Sequence, residues 1–342
     1  MVTRTPLDHR LENLTTTALD RCRGTGPDGA WWSVVVKTLQ PASAHPAFAE
    51  IPEMFRSEVL EDLDWRGEPA VYRSDLGAEL PPPLRMPTVY GVADEGPEQV
   101  SIWMEDVADV VPWDLDRYAR TADALGALAG RWSGDEASAA FGLGARDIGR
   151  LFFGKVCNHD LPLQADDGFW HDPVVAAVAD ADHRRGLLRL AEVAPSLIAE
   201  VAATTPLGVC HGDATPDNFR EPGDGAVVAL DWSYGHVGSV GGDLGQLVAG
   251  RFESGAAADE DVGAVADVVL AGYLGGLRRE GRTVEDASVR QAFALHLAVR
   301  SAFSALRLDH RGALSDQERL ELLAPRARLA RFAIDLALDA AA

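Results

Sequence analysis

Residues 207–235 read LGVCHGDATPDNFREPGDGAVVALDWSYG, and Asp213, Asn218 and Asp231 stand out among them as oxygen-bearing side chains at suggestive spacing. Asn218 opens a short strand, the PGDG run supplies a turn, and AVVAL returns as a second strand with Asp231 at its far end. A hairpin of this kind sets Asn218 and Asp231 side by side. Two oxygen ligands suit Mg2+, a hard cation usually held by one or two protein groups together with substrate phosphates. Asp213 falls five residues before Asn218, on a loop bounded by Gly212 and Pro216, from which it can face the same pocket. There it could take the proton of an attacking hydroxyl while a metal neutralises charge on a transferred phosphoryl group.

HGDATPDN resembles the H-G-D-x-x-x-x-N catalytic loop of aminoglycoside phosphotransferases and choline-kinase-like enzymes, and ALDW resembles their metal-binding aspartate segment. The order and spacing are also similar to those of protein kinases. The resemblance implies that Asp213 is the catalytic base, that Asn218 and Asp231 hold Mg2+, and that ATP is the phosphoryl donor. It makes His211 a structural residue of the loop, and Asp243 in VGGDLGQL an aspartate that braces the loop from the following helix. His211 as a general base or metal ligand is the rival reading, for which no partner His or Cys stands at ligand spacing.

The cation expected opposite the phosphates is Lys37. Of 31 basic residues only Lys37 and Lys155 are lysines, so a lysine at the end of the apolar run WWSVVVK calls for a reason. VVVKTL resembles the strand that carries the family's ATP-binding lysine, and a point charge there suits the α- and β-phosphates. Glu68 in RGEPAVYR fits the helical glutamate that pairs with this lysine, in preference to Glu58 or Glu61. IWMEDV resembles the hinge that reads an adenine edge, which places Met104, Glu105 and Val107 beside the base; an ordinary strand end is the alternative. The glycine-rich phosphate loop of the family is missing. ENLTTTAL takes its place, where Thr15, Thr16 and Thr17 either cradle phosphate or simply form a strand.

These residues need a scaffold of a particular kind. LTTTALDRCRG and WWSVVVKTLQ, separated by GPDG, read as a hairpin, and VYGVA with QVSIWME as another across DEGPE. Between the hairpins, residues 52–76 have helical spacing that Pro69 divides into two pieces. From Trp113 onward helical patterns dominate, recurring at 185–203, 263–279, 288–308 and 315–338, the last opening with Ser315 and Glu318 at capping-box spacing. The expected architecture is α+β: a small antiparallel-sheet N-lobe over residues 1–107 that binds nucleotide, and a large, mainly helical C-lobe over 108–342 with the catalytic loop and substrate-binding helices. The resemblance implies a bilobal, protein-kinase-like fold.

The chain has 342 residues, 47% of them hydrophobic, enough for a sizeable core. Its net charge of −22 argues against a nucleic-acid partner and would suit a cationic small-molecule substrate, although an acidic surface also serves solubility. No signal-like or membrane-spanning run is present, which points to the cytoplasm. Cys22, Cys157 and Cys210 are scattered and suggest buried small side chains. In CNHDLPLQADDGFWHDP, Asp166, Asp167, Trp170, His171 and Asp172 could greet an amine or form a solvated loop. The leading function is transfer of the γ-phosphate of ATP to a small-molecule hydroxyl. A pseudokinase that binds nucleotide without turnover, and a kinase acting on a peptide, are the alternatives.

Overall fold

The computed structural model describes residues 2–7, 13–307 and 314–342. Glu12 of the threonine segment and Leu308 of the fourth helical pattern lie outside these residues. The chain is α+β and divides into two compact units, 1–111 with 220–235, and 112–219 with 236–342.

The first unit is built on an antiparallel sheet of five strands, β1 (Thr3–Pro6), β2 (Thr16–Thr25), β3 (Trp31–Leu39), β4 (Val89–Gly96) and β5 (Gln99–Glu105), in the spatial order β1-β2-β3-β5-β4. The β2–β3 turn falls on GPDG: Gly29 has φ 81°, and the Asp28 carboxylate accepts the Ala30 N–H at 3.0 Å. Val36, Lys37, Thr38 and Leu39 are all buried, as befits a central strand. Opposite Lys37 stand Leu19 on β2 and Ile102 on β5.

The helical stretch is broken, but ahead of Pro69. α1 (Glu53–Asp62) ends at Leu63, and Asp64 then turns the chain by accepting the N–H groups of Arg66 and Gly67. α2 (Gly67–Arg73) follows, with Pro69 in its first turn, where a missing N–H costs nothing. Val227–Ala229 pairs in parallel with Leu84–Arg85 and neighbours the short strand at 219–220, the adjacency a hairpin requires.

The second unit is helical apart from one antiparallel pair, Leu207–Cys210 with His236–Ser239. At its centre the helices Leu115–Arg131 and Val262–Arg279 cross backbone to backbone. A Cβ at Gly126 would lie 2.1 Å from the Tyr273 carbonyl oxygen, and one at Gly276 2.0 Å from that of Asp123, so only glycine permits the approach. Ser315 and Glu318 form the capping box of the last helix, Asp316–Ala340. Among the described residues no helix is long and apolar enough to cross a membrane. Cys22 and Cys210 are buried and Cys157 is half-buried.

His183, on the helix Ala181–Thr204, is buried beside Trp170 and Arg331, with no hydrogen-bond partner for either ring nitrogen among the described residues. Burial, then the Arg331 charge, lowers its pKa to about 4, against a smaller opposing effect of Asp180. A histidine depressed in the fold titrates at its ordinary value when unfolded. Its stability is therefore whole above pH 6.5 and is lost as pH falls toward 4. Urea unfolding at pH 8 and pH 5 should show a loss of about 2 kcal/mol attributable to this residue, absent in His183→Leu. Equal acid sensitivity in the two proteins would refute the assignment.

Candidate active site

In the first unit Lys37 is the focus. Its Nζ lies 2.7 Å from Glu68 Oε2 and 2.9 Å from Asp231 Oδ2. β3 supplies the lysine, α2 the glutamate, and the segment after Val227–Ala229 the aspartate. Lys37 and Glu68 are buried, whereas the Asp231 side chain keeps 32% of its exposure. Burial disfavours the lysine's charge, but Glu68 and then Asp231 outweigh it and hold the ammonium above its ordinary pKa. Glu68 is pushed up to about 7, mainly by burial and against the pull of Lys37, with Asp231 adding to the rise. Tyr72, one turn along α2, is raised by burial and by the same two carboxylates. A single cation thus holds two acids together in a poorly hydrated place.

Asp231 also carries backbone strain. At φ 54° and ψ 68° it is the one non-glycine residue with positive φ among the described residues. The left-handed region costs an L-residue about 1 kcal/mol or more, and such outliers gather at functional sites.

The other residues expected beside a nucleotide divide. Met104 pairs with Val35 across the β3–β5 ladder, and Glu105 with Val34. Glu105 is clamped by Arg85, whose two terminal nitrogens donate at 2.7 and 2.9 Å, and it accepts the Thr88 N–H at 2.9 Å. Arg85 lowers its pKa, so this carboxylate fixes the strand end as an anion. Val107 follows on irregular backbone. Thr15 and Thr16 are buried; the Thr15 hydroxyl donates to Asn13 Oδ1 and that of Thr17 to the Thr38 carbonyl, both ties within the protein.

In the second unit the loop after Leu207–Cys210 is stretched between fixed points. Asp243 accepts the His211 N–H at 2.7 Å and the Gly212 N–H at 2.9 Å, one on each oxygen. Gly212, at φ 81°, makes the bend. His211 is fully buried against Phe219, and its Nδ1 accepts the Asp213 N–H at 3.3 Å, so its place is inside the loop. Asn218 Nδ2 donates to the Asp213 carbonyl at 2.8 Å and to Asp213 Oδ2 at 2.9 Å. With the amide nitrogen committed, Asn218 Oδ1 is the atom it can offer a cation.

Gln246 joins the candidate site although the motif does not name it. Its Nε2 donates to Asp213 Oδ1 at 3.0 Å, from the helix Leu244–Ser254 that follows Asp243. Gly250 on that helix lets it pack on the loop, since a Cβ there would lie 2.6 Å from Pro216 Cδ. The i, i+3 relation of Asp243 and Gln246 was the available signal.

The acidic insertion is engaged in structure. Asp166 accepts the Gly168 N–H, Asp172 those of Val174 and Val175, and Asp167 and Asp172 pair with Arg184 and Arg319 at 2.7 Å each. Trp170 Nε1 donates to the Gln164 carbonyl, and His171 Nδ1 meets the Asp167 carbonyl.

No protein-family model matches the chain, and no curated protein matches its sequence. Solved structures do match. An aminoglycoside phosphotransferase from Alicyclobacillus acidocaldarius superposes with a TM-score of 0.54 at 14% identity, over 97% of this chain and 91% of that one. A spectinomycin phosphotransferase in complex with ADP and spectinomycin gives 0.52 at 11% identity, over 99% and 93%. The chain therefore has the fold of these phosphotransferases, a small antiparallel sheet followed by a large helical portion.

Proposed function

We propose that the protein transfers the γ-phosphate of ATP to a hydroxyl of a small molecule. The observation that carries this reading is the buried Lys37, held by Glu68 and Asp231 in one unit, in a chain whose other unit suspends Asp213 between two amide donors. Lys37 binds the nucleotide phosphates, Glu68 positions it, and the segment of Met104, Glu105 and Val107 receives the base. Asp213, its oxygens oriented by Asn218 and Gln246, takes the proton of the acceptor hydroxyl.

The residues proposed as ligands have the chemistry that Mg2+ requires: Asn218 Oδ1 in one unit and the partly exposed Asp231 carboxylate in the other are each hard oxygen donors, and Asp231 is held on a strained backbone of the kind that gathers at functional sites. Among the described residues no three His, Cys, Asp or Glu form a cage, and a cation completed by nucleotide phosphates needs none. When bound, the ion would neutralise charge on the transferred group.

The similar structures include phosphotransferases named for aminoglycoside and spectinomycin, which favours a small acceptor over a peptide. The test is a library of small alcohols with ATP and Mg2+, read by ADP release and by mass of the product. Phosphorylated alcohol is the expected result. Tight Mg2+–ATP binding without product from alcohols or peptides would instead make the chain a nucleotide-binding module.

A further inference from the structure

The helix Asp286–Leu297 does not end cleanly but runs into a π-helical turn, Ala298–Ala302, which carries Arg300. This turn lies against the start of the helix that supports the Asp213 loop. A Cβ at Gly245 would stand 2.8 Å from the Leu297 backbone nitrogen, and one at Gly242 2.8 Å from the His296 ring. Asp243 and Gln246 belong to that same turn of chain, so Arg300, three residues past Leu297, is brought into the surroundings of the catalytic loop. Single π-turns in helical chain are frequent at functional sites.

Arg300 is half-buried, and its Nε is sealed from solvent without a hydrogen-bond partner among the described residues. Burial pulls its pKa below the ordinary guanidinium value, while the charges of Asp243 and Asp213 act in the opposite sense. Yet no ion pair ties its side chain to either of them among the described residues. Asp243 spends its two oxygens on His211 and Gly212, and Asp213 accepts from Gln246 and Asn218. Arg117 and Arg251 in this unit also leave Nε without a partner, but each spends a terminal nitrogen inside the protein, Arg117 on the Phe219 carbonyl and Arg251 on the Ala256 carbonyl and Glu260. A guanidinium whose Nε is desolvated without a partner is costly and makes sense as half of a pair that reaches its less buried terminal nitrogens.

We infer that Arg300 receives a carboxylate on the phosphoryl acceptor, so that the substrate is a hydroxy acid or a zwitterion rather than a purely cationic alcohol. This rests on the phosphotransfer reading, in which whatever lies around Asp213 lies around the acceptor. The planar guanidinium fork matches a carboxylate with two parallel hydrogen bonds. A phosphate dianion is the poorer match, because its second charge would stand against Asp213 and Asp243. The acidity of the chain as a whole does not oppose the assignment, since a contact pair is governed by local charge.

Two measurements decide it. In the first, a mixture of hydroxy acids and their neutral hydroxy amides is offered to the wild type, Arg300→Met and Arg300→Lys, with binding followed by ligand-detected NMR and turnover by ADP release. The wild type should bind and turn over acids in preference to amides. Arg300→Met should raise KM for the acid by about 30-fold and leave KM for ATP unchanged, with Arg300→Lys between them. Arg300→Lys also keeps the test open should the methionine variant fail to fold. The second measurement is the melting temperature, which should not fall in Arg300→Met, because a group without a partner in the free protein contributes nothing there. Acid binding that depends on Arg300, without turnover of either class, would uphold this inference and sink the phosphotransfer reading. Equal treatment of acids and amides, or an effect confined to KM for ATP, would overturn the inference whatever the turnover.

Discussion

Asp213→Asn is expected to slow phosphoryl transfer by about 10³-fold while leaving fold and nucleotide affinity intact, since general-base assistance contributes on that order. The surroundings make asparagine a clean probe. In the native loop the Asp213 oxygens accept from Asn218 Nδ2 and Gln246 Nε2. An amide at 213 would set an NH2 against one of these donors. Gln246 can absorb the change, because its Oε1 is buried with no hydrogen-bond partner among the described residues, and turning the amide over brings that oxygen to the new N–H. Melting temperature should therefore move little. Steady-state ADP release on an acceptor identified by the library, with calorimetric titration of ATP, checks both halves. A loss of less than tenfold would remove Asp213 from the role of base.

The second large effect is expected at Lys37, in stability as well as rate. Lys37→Met leaves Glu68 and Asp231 without their shared cation, and breaking a buried pair costs about 3–5 kcal/mol. The loss should fall near the lower end, because Glu68 already titrates at about 7 and would take up a proton rather than remain a buried anion. Lys37→Met/Glu68→Leu should recover most of the stability, since Asp231 keeps 32% of its side-chain exposure and can be hydrated. Activity should not recover. Both proteins should have kcat/KM for ATP lower by about 10²-fold, the scale for losing a desolvated charge partner. Recovered activity in the double variant would show that Lys37 serves only to neutralise its neighbours.

Much of this was legible because it is local. Lysine is scarce enough in the chain for Lys37 to be noticed, GPDG specifies a turn, and Ser315 with Glu318 specifies a helix start. The loop motif marked Asp243 and His211 before their bonds were seen. Local rules also misled in one place, where Pro69 drew the helix break toward itself although Asp64 makes it. Legibility ended where a partner is remote. Nothing near Glu105 announces Arg85, twenty residues back, as its clamp. Arg300 reads as one more polar residue on a helical pattern until the π-turn and the packing at Gly245 place it. The acidic insertion offered carboxylates that resembled bait for an amine. Asp166 and Asp172 precede short helices and cap them, a use their positions before Gly168 and Pro173 were compatible with all along.

The left-handed backbone at Asp231 has an evolutionary consequence. Glycine would adopt φ 54° without penalty and would leave Lys37 its pairing with Glu68, at the loss of the Asp231 pair. Drift under selection for stability alone would erode position 231 early. Should the proposed turnover be abandoned in a descendant of this chain, position 231 is where glycine would be expected to enter.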